Sequence, residues 1–121
     1  MIERKLNTVF IPVANLKESV NWYQSILGFE VDEEQYKEIE QLPVYTFQMG
    51  ETSLTLEVES DFTPSPSKIP ICNIHTNQIE KVRDSFLSKK VVIESDIISF
   101  PDFSYFNFRD VNGNLLMICT G

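Results

Sequence analysis

The spacing of apolar positions changes twice within the first thirty or so residues. Thr8 to Val13 is a short apolar run rich in β-branched residues and reads as a strand. From Asn15 the period lengthens: Leu16, Val20, Tyr23 and Leu27 recur at spacings of four, three and four, one apolar stripe along a helix. Asn15 with Glu18 three residues on is a capping box, and Gly28 stands where a left-handed residue ends a helix. Phe29 to Val31 predicts a strand, with the acidic run Asp32-Glu33-Glu34 as its solvated end. Pro43 to Met49 predicts the next strand and Gly50-Glu51 a turn. Ser53 to Val58 alternates strictly, which sends Leu54, Leu56 and Val58 to one face and Ser53, Thr55 and Glu57 to the other.

The same grammar then returns. After a Pro/Ser-rich stretch at residues 60–69, Ile71 to Thr76 reads as a strand and Asn77 with Glu80 repeats the capping box. Ile79, Val82 and Phe86 make a helical stripe; Val91 to Ile93 and Tyr105 to Phe108 read as strands. Asp110 to Asn114 reads as a hairpin turn in which Asn112-Gly113 supplies positive φ angles, and Leu115 to Cys119 closes the chain. The copies are about 62 residues apart, pairing Asn15 with Asn77 and Val31 with Ile93. The expected organisation is one α+β domain of two βαβββ modules, about 4–59 and 70–121, joined by the linker 60–69.

Composition narrows the function classes. The 121 residues carry ten Lys+Arg against eighteen Asp+Glu, a net charge of −8, which argues against non-specific nucleic-acid binding and against anionic membranes. Cys72 and Cys119 form no Cys-x-x-Cys pair and sit in apolar runs, so free buried thiols are expected. The N-terminal residues have no signal-peptide pattern and no apolar stretch nears the ~20 residues of a bilayer span, so a cytoplasmic location is expected. Neither a glycine-rich phosphate loop nor a Gly-x-Ser-x-Gly elbow is present.

Three local patterns carry a family resemblance: Thr8 to Ser19, Trp22-Tyr23 followed by Ile26-Leu27-Gly28-Phe29, and Phe106 to Leu115. With the doubled module, they make the chain similar to the vicinal oxygen chelate superfamily, also called the glyoxalase/bleomycin resistance/dioxygenase family. The resemblance implies a curved mixed sheet with a concave pocket and helices on its convex side. It also implies a homodimer, and Trp22 is a candidate for a subunit contact.

In metal-dependent members of that family four strand positions hold a divalent ion. Here they fall on Thr8, Glu57, either Pro70 or Ile71, and Met117. A neutral hydroxyl, an apolar side chain and a soft thioether are poor partners for a hard ion, which leaves Glu57 as the one competent position. No metal centre and no other cofactor are therefore expected, a divalent metal being the disfavoured alternative. The expected ligand-binding residues are Thr8, Tyr45, Phe47, Thr55, Glu57, Asn73, His75, Phe106, Phe108 and Met117. Three readings stay open. In the first, the chain binds a small aromatic or cationic molecule without metal, as the drug-sequestering branch of the family does. In the second, it is a metal-dependent lyase or dioxygenase with Glu57 as a ligand. In the third, it is a metal-free lyase or isomerase with Glu57 or His75 as base. The net charge and the aromatic residues favour the first.

Overall fold

A computed structural model describes residues 1–64 and 68–121. Residues 65–67 of the expected linker lie outside the described residues. The chain divides into two units, Met1–Thr63 and Pro64–Gly121.

In the first unit the stripe of Leu16, Val20 and Tyr23 is buried on helix α1 (Leu16–Leu27). Asn15 Oδ1 accepts the Glu18 N–H at 2.9 Å, and Gly28 ends the helix at φ 72°. The strands β1 (Val9–Val13), β2 (Val44–Met49) and β3 (Thr52–Val58) form a sheet of order β1-β3-β2, with β1 parallel and β2 antiparallel to β3. Tyr23 stacks on Phe47 at 6.0 Å between centroids, and Phe29 and Tyr45 complete an aromatic cluster that ties α1 to the sheet.

Two expectations are corrected here. Phe29 to Val31 is not a strand: Phe29 turns into the aromatic cluster, and the Asp32 N–H is held by the Tyr45 hydroxyl at 2.8 Å. The acidic run is not a strand end but the start of a short helix α2 (Glu33–Tyr36). Asp32 caps it, accepting the N–H groups of Glu34 and Gln35. Carboxylates are favoured there because the first turn of a helix has free N–H donors.

In the second unit, β4 (Asn73–His75), β5 (Ile98–Ser99), β6 (Ser104–Arg109) and β7 (Leu115–Cys119) form a sheet of order β4-β7-β6-β5. Helix α3 (Ile79–Ser88) lays Phe86 edge-on against Phe106 and Phe108 at 5.8 and 4.9 Å. Residues 92–94 pair with β6 through a bridge between Ile93 and Phe108 rather than as a full strand. The expected cap at Asn77 does not form. Its Oδ1 is engaged by His75 Nε2 at 2.9 Å, and Gln78 occupies the cap position without a side-chain bond.

The β6–β7 turn also differs from expectation. Only Gly113 has positive φ, and Asn112 does not. The turn is instead organised by the buried Asp110, whose Oδ1 accepts the N–H groups of Asn112 and Asn114, each at 2.9 Å. Among the described residues no helix is long and apolar enough to cross a membrane.

Candidate functional site

Each sheet has a face covered by its own helix and an opposite face left open by it, although Thr55 and Cys119 on that opposite face are buried. Register decides which residues belong to which. In the first sheet Phe10, Thr55 and Thr46 lie abreast, as do Pro12, Glu57 and Val44, all on the open face. Thr55 Oγ1 shares hydrogen bonds with Thr46 Oγ1 at 2.9 Å and Thr8 Oγ1 at 2.7 Å, a chain of three hydroxyls across the sheet. Beside it is a depression of about 370 Å³ lined by Phe10, Pro12, Glu57, Val58 and Glu59. The Phe10 side chain is exposed at 58% of its surface, and neither Glu57 nor Glu59 is in an ion pair among the described residues. An exposed ring beside two carboxylates suits a cation that carries apolar surface.

A larger depression of about 840 Å³ lies at the start of α1. Asn15 caps the helix, and Lys17 pairs with Glu40 at 3.3 Å.

In the second sheet, Asn73, Met117 and Asn107 lie abreast on the open face, followed by His75, Cys119 and Tyr105. Asn107 Oδ1 is buried with no hydrogen-bond partner among the described residues. Tyr105 stacks with Phe100 at 7° between planes, and Phe100 and Phe103 extend this aromatic group to the surface. His75 is exposed and bonded to Asn77. Burial pushes the Cys72 thiol above its ordinary pKa range, so the sulfur is held protonated and is a poor nucleophile.

The structure thus places Thr8, Thr55 and Glu57 on the open face of the first sheet, and Asn73, His75 and Met117 on that of the second. Tyr45, Phe47, Phe106 and Phe108 are corrected: they are buried on the helix-covered faces and pack against α1 or α3. Phe10, Tyr105 and Asn107 are open-face residues that the sequence reading left out of its site. Counting outward from each hairpin turn finds the latter two, because it pairs Asn107 with Met117 and Tyr105 with Cys119.

The donor set does not fit a divalent metal. Thr8 spends its hydroxyl on Thr55, and Met117 offers a thioether. Ile71, whose N–H donates to the Leu115 carbonyl, continues the open-face alternation of Asn73 and His75 with an apolar side chain. Among the described residues no group of three or more His, Cys, Asp or Glu is placed to hold an ion.

The family model described as the Glyoxalase/Bleomycin resistance protein/Dioxygenase superfamily matches residues 5–118. No match is found among curated proteins. Several solved structures share the fold. A glyoxalase/dioxygenase from Nostoc punctiforme aligns with TM-score 0.74 at 18% identity, over 97% of this chain and 90% of that one. A glyoxalase family protein from Enterococcus faecalis aligns with TM-score 0.71 at 20% identity, over 98% and 99%. A lactoylglutathione lyase from Agrobacterium tumefaciens aligns with TM-score 0.68 at 17% identity, over 98% and 95%.

Proposed function

This chain belongs to the glyoxalase/bleomycin resistance protein/dioxygenase superfamily, and from that premise we propose that it binds a small organic cation with an aromatic or apolar body, without a divalent metal. The observation that carries this reading is the depression on the open face of the first sheet, where the exposed Phe10 ring and Pro12 stand beside Glu57 and Glu59. The ring face attracts a cation by about 0.5–2 kcal/mol, depending on how far the contact is dried. An exposed carboxylate adds about 0.2–1 kcal/mol. The Thr8-Thr55-Thr46 hydroxyl chain can present an O–H donor or acceptor to a polar group of the ligand. The net charge of −8 raises the local concentration of cations.

Calorimetric titration of a panel of planar aromatic ammonium compounds tests this. The expected result is saturable binding by the wild type. Phe10→Ala should weaken it about 3- to 30-fold, and Glu57→Gln about 2- to 5-fold. Neutral aromatic analogues should bind less tightly than the cations. Elemental analysis of protein purified without chelators supplies the contrary arm. About one equivalent of Zn, Ni, Mn or Fe in the wild type, lost in Glu57→Ala, would overturn the metal-free reading and point to a metal-dependent lyase or dioxygenase.

A further inference from the structure

The second sheet covers the outer edge of β6 with its own chain, whereas among the described residues nothing pairs with the outer edge of β2 in the first. In the second unit Arg109 N–H donates to the Val92 carbonyl at 2.8 Å, Glu94 N–H donates to the Asn107 carbonyl at 2.8 Å, and Ile93 bridges Phe108 in antiparallel sense. The matching segment of the first unit, Phe29 to Val31, makes no such bonds.

The ladder shows which backbone groups are left over. Val58 N–H donates to the Pro43 carbonyl, so residues 43, 45, 47 and 49 turn their backbone groups toward β3. Val44, Thr46 and Gln48 turn theirs outward, and among the described residues no hydrogen bond reaches them. A groove of about 480 Å³ separates this edge from the displaced segment, with Phe29, Glu30, Val31 and Asp32 on one side and Thr46 and Gln48 on the other.

The geometry points to a strand-addition site: the β2 edge accepts an extended, lysine- or arginine-bearing peptide segment of another protein, antiparallel to β2. Such a segment would exchange about four backbone hydrogen bonds with Thr46 and Gln48. The second unit shows that this edge geometry is satisfied by an antiparallel segment. Charge selects the occupant. Glu30 is exposed and outside any ion pair among the described residues, and Asp32 adds a second carboxylate at the rim. Two copies of a chain of net charge −8 would bring these acidic rims together, so a basic guest is favoured over a second copy. Unpaired edges invite such pairing unless they are blocked.

The probe is a fluorescently labelled, end-capped five-residue peptide of alternating lysine and valine, titrated by anisotropy. Saturable binding is expected. N-methylation of the amides on the hydrogen-bonding edge should weaken it by about tenfold or more. Glu30→Lys should weaken it several-fold, whereas Glu80→Gln on α3 should leave it unchanged. Gln48→Pro removes one outward N–H and should weaken binding about tenfold, with the far-UV circular dichroism as a check on folding. If that variant does not fold, the N-methylated peptide on the wild type still decides. Equal binding of the N-methylated peptide, or no saturable binding, overturns the proposal. A dimer in sedimentation velocity that Gln48→Pro dissociates would also overturn it and give the edge to a second copy.

Discussion

Helices α1 and α3 occupy the same place in two copies of one grammar, yet they are finished differently. α1 has a side-chain cap from Asn15 and a left-handed glycine at its end. α3 has neither: Gln78 makes no capping bond, and Lys90 takes the left-handed conformation at φ 61°. Both helices nevertheless form, each with an aromatic side chain laid on its own sheet, Tyr23 on Phe47 and Phe86 on Phe106 and Phe108. Packing of one apolar face therefore decides that these helices exist, and the caps adjust their stability. The sheets differ in the opposite sense, since the second unit closes an edge that the first leaves open.

The largest test of that equivalence removes the packing. Phe47→Ala in the first unit and Phe108→Ala in the second each delete a fully covered ring facing the helix. Each should cost about 3–5 kcal/mol in urea unfolding. A cost below about 1 kcal/mol for either one would show that its helix is held by something other than the aromatic contact.

The same two residues show what was legible in the sequence. Strands β1, β2, β3, β4, β6 and β7, helices α1 and α3 and the places of both hairpin turns could be read from period and punctuation, whereas β5 and α2 could not. The faces of Thr55, Glu57, Asn73, His75 and Met117 follow the expected alternation, but those of Tyr45, Phe47, Phe106 and Phe108 do not. Counting outward from Gly50-Glu51 pairs Tyr45 with Leu56 and Phe47 with Leu54, so neither can share a face with Glu57, whose partner is Val44. Counting from the Asp110–Asn114 turn likewise separates Phe106 and Phe108 from Met117. A shift of one residue exchanges the whole core face for the open one. Other features were ambiguous in kind. Asp32-Glu33-Glu34 suits a solvated strand end and a helix start equally well. Asn77 repeats the motif of Asn15, but His75 competes for its side chain, and local polar contacts of similar strength settle such contests. The open β2 edge was hidden because Phe29 to Val31 has strand composition, whereas Phe29 packs into the aromatic cluster and the Tyr45 hydroxyl holds the Asp32 N–H.

The next test separates the two helix starts. Asn15→Ala removes a formed bond to the Glu18 N–H and should cost about 1 kcal/mol, within the 0.5–2 kcal/mol range of such caps. Gln78→Ala removes no capping bond and should stay within about 0.5 kcal/mol of the wild type. Equal losses in the two variants would mean that the Asn15 contact contributes nothing specific.

The helix ends give the smallest effect and the cleanest arithmetic. At the end of α3 the left-handed Lys90 lets its own N–H reach the Leu87 carbonyl and the Val91 N–H reach the Phe86 carbonyl, so two terminal carbonyls are satisfied. A side chain with a Cβ pays about 1–2 kcal/mol for that conformation, and glycine forfeits about 0.5–1 kcal/mol of backbone entropy instead. Lys90→Gly should therefore stabilise the protein by about 0.5–1 kcal/mol. Gly28→Ala should destabilise it by a similar amount. A Cβ at Gly28 would meet no atom within 4 Å, so that cost is backbone strain alone. Urea midpoints moving in opposite directions by comparable amounts would show that the two helix ends differ only in the residue at the left-handed position. If Lys90→Gly destabilised the chain, the lysine side chain would have to be contributing a contact that outweighs its strained backbone.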